Sequence, residues 1–501
     1  MSESRILNAA LRGKIMSASD AAAFIKPGDN VGISGFTGSG HPKFVTQALA
    51  DRIAAATARG ENYRVGLLTG ASTAPEADGA LAKVNGISFR TPYQSDPDCR
   101  NHVNAGDCGY VDAHLSHSGQ NTAWGHYGKL DVALIEVVAI LEDGRLIPST
   151  SVGNNQTYLD VAERVILEVN TAQDMLLEGM HDIYTVGLPP NRKPIPIVAA
   201  SDRVGEPYLR VDPRKVVAVV ETDCADRDTK FTPPDENSKR IAGHILEFLG
   251  HEVKKGRIPA NLLPLQSGVG NVANAVMIGL NESSYENLTA YTEVLQDGML
   301  DLIRSGKFTC VSSTAVSFSA ETTVDFKKNL AEYRKRIILR PQEVSNHPEV
   351  IRRLGTISMN GMLEADIYGN VNSTHVLGSK MMNGIGGSGD FARNAYLSIF
   401  MTPSVAKNGA LSCFVPMVSH VDHTEHDVQV LVSEHGLADL RGLAPRQRAK
   451  LIIEKCADPK FRPALTDYLA RAEKGANGLH TPHLLGEAYD WHLRALRGES
   501  M

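Results

Sequence analysis

One unit that recurs along the chain constrains the fold most: a short apolar strand, a glycine-rich turn and a helix. Asn30 to Phe36 reads as a buried strand, Thr37 to Lys43 (TGSGHPK) as the turn, and residues 43–58 as the helix. The grammar returns at Leu263 to Asn271 (LPLQSGVGN), followed by a helix over 271–281. Between and around these units, Tyr63 to Ser72, Leu130 to Val137, Val165 to Val169 and Val216 to Val220 are further apolar runs. Near-continuous apolar strands separated by helical stretches predict a parallel sheet covered on both faces. The expected architecture is α/β: two similar domains with mostly parallel sheets, and a site in the cleft between them. Residues 6–28 read as an opening helix that Pro27-Gly28 stops.

With 501 residues the chain exceeds what one core supports. Polar connectors, Pro189 to Pro194 and Asp223 to Asn237, suggest a boundary that divides it into 1–228 and 229–501. A net charge of −6, spread along the sequence, gives no basis for a nucleic-acid partner or an anionic membrane surface. The first residues carry no apolar run behind a basic flank, and no window reaches the roughly 18 apolar residues that span a bilayer, so a cytoplasmic protein is expected. Six scattered cysteines without a C-x-x-C pair argue against a disulfide framework or a thiolate zinc site.

Several stretches could carry chemistry. Glu293, in Tyr291-Thr292-Glu293-Val294, stands where an apolar run is expected to give way to a helix over 287–300. Two readings stand: a helix N-terminal acid favoured by the macrodipole, or a carboxylate nucleophile at the carboxyl edge of a sheet. Asn383 to Phe391 (NGIGGSGDF) is the densest glycine cluster, suited to turning backbone N–H groups toward negative charge or to a tight structural loop. Neither this loop nor Thr37–Lys43 ends in the Lys-Ser/Thr of a nucleoside-triphosphate cradle. Gly268-Val269-Gly270 before a helix offers the same service. Glu434 opens a second strand-end acid, either tuning Glu293 or starting a helix. His420, His423 and His426 are spaced by three but follow a strand, so a structural role is expected there and no metal.

Taken together, Ser34 to Thr37 (SGFT), Leu265 to Asn271, Tyr291 to Val294, Asn383 to Phe391 and Glu434 to Gly442 (EHGLADLRG) resemble the acetyl-CoA hydrolase/transferase family of class I CoA-transferases. The resemblance implies a homodimer that holds no permanent cofactor and takes CoA thioesters and short-chain carboxylates as substrates. It implies ping-pong transfer of CoA from succinyl-CoA to acetate, with Glu293 forming an acyl anhydride and then a glutamyl-CoA thioester. Backbone amides of Val269 and Gly387 match the family's oxyanion contacts, and Asn346 and Glu434 the positions beside the glutamate. Gln266, Ser267, Gly268, Val269, Gly270, Leu363, Asn383, Gly387 and Lys407 match the CoA-contacting positions. Ser72, Ser95 and Arg227 fall where the family holds the small carboxylate. The alternatives are an acetyl-CoA hydrolase or propionyl-CoA:succinate transferase of the same fold, a non-catalytic acyl-CoA binder, and a metal hydrolase built on the three histidines.

Overall fold

The apolar runs become the central strands of parallel sheets, with helices laid along them. A computed structural model of the chain describes residues 4–230, 232–475 and 479–501. It divides into two α/β units that are not continuous in sequence: Met1–Phe231, Ala290–Ile303 and Thr309–Val350 form one, and Thr232–Thr289, Arg304–Phe308 and Ile351–Met501 the other. The first break falls close to the expected 228/229 boundary. The segment carrying Glu293, however, packs with the first unit, where Ala315 bridges to Ser151 and Val152 N donates to Thr314 O at 2.9 Å, although its strands Leu288–Tyr291, Phe308–Ser313 and Ile337–Leu339 continue the second eight-stranded sheet from Leu265–Ser267.

In the first unit the strands run in the order Gly109–Tyr110, Ile87–Thr91, Val65–Leu68, Asn30–Ile33, Val132–Ile140, Arg164–Asn170, Val216–Thr222, with Leu146–Pro148 paired antiparallel to Val132–Ile140. All other neighbours are parallel, as in Val31↔Leu67, Val31↔Val132 and Ile135↔Leu167. Every residue of Val132–Ile140 is buried, yet its centre is Glu136, in register with Glu168 of the next strand. Glu168 accepts from the backbone N–H groups of Lys43 (2.7 Å), Phe44 (3.2 Å) and Val45 (3.0 Å) at the start of helix Phe44–Ala58. That helix has no side-chain cap of its own, so a neighbouring strand satisfies its orphan donors.

The expected helix over 6–28 is two short helices instead, Ala9–Arg12 and Ala18–Ala22. Asn8 and Ser17 each cap a new start, and between them Ile15 bridges to Val219, which takes the backbone out of the helical path. Ile87–Thr91 escaped the sequence reading because its exposed Ser88 breaks the apolar run.

The second unit carries the parallel strands Leu265–Ser267, Ile357–Gly361, Leu397–Met401 and Val430–Ser433, closed by the antiparallel edge Gly436–Asp439. Its helices include Glu236–Lys254, capped by Asp235 on Ser238 N at 2.8 Å, and Asn271–Glu282. Phe400, Phe414, Tyr368, Leu431 and Phe461 form part of its core. Among the described residues, no helix is long and apolar enough to cross a membrane.

Candidate active site

Glu293 sits on a bend between strand Leu288–Tyr291 and the two-residue strand Val294–Leu295. The helix expected over 287–300 begins only at Asp297, so the first-turn acid is Asp297 and the macrodipole reading of Glu293 falls away. The bend is pinned through its backbone: Thr314 N and Ala315 N donate to Glu293 O at 2.9 and 3.2 Å, and Thr292 N to Ser312 O at 2.9 Å. Val294 and Ala315 pack with Phe36, Ala71 and Leu115 in a small apolar cluster beside it. One carboxylate oxygen, Oε1, accepts from Asn346 Nδ2 at 2.7 Å. Asn346 is fully buried at the end of helix Gln342–Ser345, and Ser345 Oγ holds its Oδ1 at 2.9 Å, which fixes the amide with its N–H toward Glu293. Burial pushes the Glu293 carboxyl up to about 7, with the Asn346 bond working the other way. A poorly solvated carboxylate of this basicity is a better nucleophile than a surface glutamate.

Of the residues matched to the small carboxylate, Ser72 is buried, its Oγ accepting from Ala74 N at 3.4 Å. Ser95 accepts Arg100 Nη2 on its carbonyl at 2.8 Å. Arg227 is half-exposed, and among the described residues its guanidinium has only Glu76 near it, at 3.8 Å. Arg227 lines two cavities of about 230 and 490 Å³. The sequence reading missed a buried ionic cluster next to it, Lys43 with Glu136 and Asp226 at 2.6 and 3.0 Å. The signal was present: a glutamate in the middle of a nine-residue buried strand needs a partner.

In the second unit, Gln266 is fully buried and clipped to the adjacent strand, with Nε2 donating to Asn360 Oδ1 at 3.0 Å and Oε1 accepting from Met359 N at 3.2 Å. Past Ser267 the chain turns through Gly268, whose N–H donates to Met359 O at 2.9 Å. Val269 is 66% exposed on the turn. Gly270, at φ +131°, then caps helix Asn271–Glu282 in a conformation that side chains avoid. Gly387 is the N-cap of helix Ser388–Asn394, and Asn383 before it has a buried Oδ1 without a partner among the described residues. Leu363 N donates to Asn372 O at 2.9 Å, and Lys407 is exposed in the turn between Val405–Ala406 and Leu411–Ser412. Both oxygens of Glu434 are held by Ser404, from its N–H at 2.8 Å and its hydroxyl at 2.6 Å. The acid is the first of the two residues that turn strand Val430–Ser433 back into Gly436–Asp439, so the reading of Glu434 as a helix start is replaced by a strand-to-strand turn.

The three histidines do not converge. His423 packs on Phe400 with ring centroids 4.6 Å apart and meets Ser388 Oγ at 3.1 Å, while His420 pairs with Asp422 at 3.3 Å and stacks on His375. Among the described residues, the grouping with metal-ligand spacing is Glu434, His435 and Asp458.

Fold and site define an α/β protein with a desolvated, amide-held carboxylate in one unit and glycine turns that open helices in the other. Residues 2–221 match the acetyl-CoA hydrolase/transferase N-terminal domain and residues 323–469 its C-terminal domain, and the chain belongs to this family. It is 51% identical over 501 residues to a succinyl-CoA:acetate CoA-transferase of Clostridium kluyveri, covering 100% of this chain and 92% of that one. It is 45% identical to an acetyl-CoA hydrolase of Schizosaccharomyces pombe, covering 99% of this chain and 98% of that one. Among solved structures, RipA from Yersinia pestis shares the fold at a TM-score of 0.70 and 24% identity, over 94% of this chain and 99% of that one.

Proposed function

We propose that the protein is a CoA-transferase that moves CoA from succinyl-CoA to acetate through covalent intermediates on Glu293. The observation that carries this reading is the Glu293 carboxylate itself, buried enough to be pushed up to about 7 and oriented by Asn346 at 2.7 Å. The Glu293 carboxylate attacks the thioester carbonyl carbon of succinyl-CoA, and the C–S bond breaks to release CoA thiolate and leave a succinyl-glutamyl anhydride. The thiolate attacks the glutamyl carbonyl carbon, expels succinate and forms the glutamyl-CoA thioester. Acetate then attacks that carbonyl, displacing the thiolate and giving an acetyl-glutamyl anhydride. Thiolate attack on its acetyl carbon releases acetyl-CoA and restores the Glu293 carboxylate, with no net proton or electron consumed.

Backbone amides of Val269 and Gly387 are assigned to the developing oxyanions, on the strength of the exposed glycine turn and the helix N-cap they occupy. Arg227, the half-exposed cation at the two cavities, is assigned to the substrate carboxylate. Incubation with succinyl-CoA and no acceptor is expected to add the mass of CoA to a Glu293 peptide, trappable with borohydride. Substantial transfer by Glu293→Ala refutes the reading. Acetyl-CoA hydrolysis is the second reading, favoured by the name of the Schizosaccharomyces pombe relative. In that case CoA release proceeds at full rate without any carboxylate acceptor.

A further inference from the structure

Arg227 presents an unusual problem: a cation meant to meet a carboxylate has no firm side-chain anchor, since Glu76 stands 3.8 Å away and both groups are half-exposed. Its neighbour in sequence is the opposite. Asp226 Oδ1 accepts from Lys43 Nζ at 3.0 Å and from Gly40 N at 3.1 Å. Asp226 Oδ2 accepts from Gln173 Nε2 at 2.9 Å and from the Thr150 hydroxyl. Lys43 is in turn clamped by Glu136 at 2.6 Å and by the His41 carbonyl at 2.9 Å, and Glu136 is held by Ser149 at 2.6 Å and Asn170 at 3.0 Å. The cluster is rooted in the central strands through Glu136 and Asn170 and reaches the cavity wall through Asp226.

We propose that Lys43, Glu136 and Asp226 form a positioning device that fixes the backbone at residue 226 and so presents the Arg227 guanidinium to the substrate carboxylate. The proposal rests on the assignment of Arg227 made above. The charges explain the three-part construction. Burial alone would raise the Asp226 carboxyl, but Lys43 beside it holds it below the usual carboxylate range, so it stays an ionised acceptor. Burial likewise opposes the charge on Lys43, and Glu136 and Asp226 together hold it protonated. Glu168, also beside Lys43, is taken up by the backbone N–H groups of Lys43, Phe44 and Val45, and burial pushes the neighbouring His41 down to about 3, which keeps it neutral and out of competition for the two carboxylates. With Asp226 spent wholly on the scaffold, Arg227 is left without an intramolecular carboxylate closer than Glu76 and is available to a ligand.

The test is a double-mutant cycle on the full chain, using exchange of labelled acetate into acetyl-CoA so that the donor carries no free carboxylate. Asp226→Asn is expected to raise the KM for acetate about tenfold, with the KM for acetyl-CoA changed by less than about twofold. Thr150→Val removes one bond to Asp226 without unbalancing the buried charges, and a smaller rise in the same direction is expected from it should Asp226→Asn fail to fold. In an Arg227→Ala background both effects should vanish. An equal effect of Asp226→Asn or Thr150→Val with and without Arg227, or no effect on acetate KM where Arg227→Ala has one, overturns the proposal. Failure of the underlying assignment looks different: Arg227→Ala itself then leaves acetate KM unchanged, or the unsubstituted protein performs no exchange.

Discussion

Asn346 acts on Glu293 by favouring its charged form, and that fixes the direction of a pH effect. The attacking species is the carboxylate, so adduct formation from acyl-CoA should climb as pH rises through about 7 and level off above it. The native carboxyl is raised above its ordinary 4.5, so ionising it opposes folding. The penalty is absent below the unfolded value, grows between there and about 7, and is constant above. Asn346→Ala removes the 2.7 Å donor and leaves desolvation unopposed. A hydrogen bond to a charged group is worth about 1.5–3 kcal/mol, so the acid limb should move up by about one to two pH units. Single-turnover adduct formation followed by mass spectrometry from pH 5 to 9 measures this. A limb that stays in place means that Asn346 does not govern the charge of Glu293.

Among the elements, the glycine turns show what local sequence does and does not reveal. Gly268-Val269-Gly270 announced a strand-to-helix turn, and the structure has it, because Gly270 takes φ +131° to start helix Asn271–Glu282. Nothing stands within 4 Å of a Cβ built on Gly270, so Gly270→Ala brings no clash and only backbone strain, about 1–3 kcal/mol. The turn relieves that strain by rotating the Val269–Gly270 peptide, which moves Val269 and, with it, the Val269 N–H one peptide earlier. If that amide stabilises the oxyanion, kcat should fall by about tenfold or more, toward the 10²–10³ of a lost donor, while the melting temperature drops only a few degrees. An unchanged kcat would remove Val269 from the chemistry. The element misread most was the one around Glu293: Leu288 to Tyr291 is mostly apolar and four residues long, which suits a strand or a helical turn equally, and its place in a sheet between Leu265–Ser267 and Phe308–Ser313 decides it.

At the scale of the whole molecule, the α/β class was legible because Val132–Ile140 and Arg164–Asn170 are long apolar strands that need cover on both faces. The ionic cluster was not, because Glu136 finds its partner Lys43 93 positions away, a separation that no local pattern encodes. The partition of the chain escaped for the same reason. Residues 309–350 look like part of a C-terminal half, yet Asp182 N donates to Leu339 O at 2.9 Å and Gln342 N to Gly153 O at 2.9 Å. The fully buried Arg340 guanidinium also pairs with the buried Asp182 carboxylate and donates to the Asp202 carbonyl. Expressing residues 1–228 alone strands Asp182 without its counter-ion, and breaking a buried pair on one side costs about 3–5 kcal/mol. The same cut uncovers Phe36, Ala71 and Leu115, which lose Val294 and Ala315 as neighbours. Against a total stability of about 5–15 kcal/mol these losses are decisive. The 1–228 fragment should therefore be insoluble or unfold without a cooperative transition in calorimetry, whereas co-expression with residues 229–501 should restore a folded complex. Cooperative unfolding of the isolated fragment would show that the segment around Glu293 contributes nothing the rest of the first unit needs.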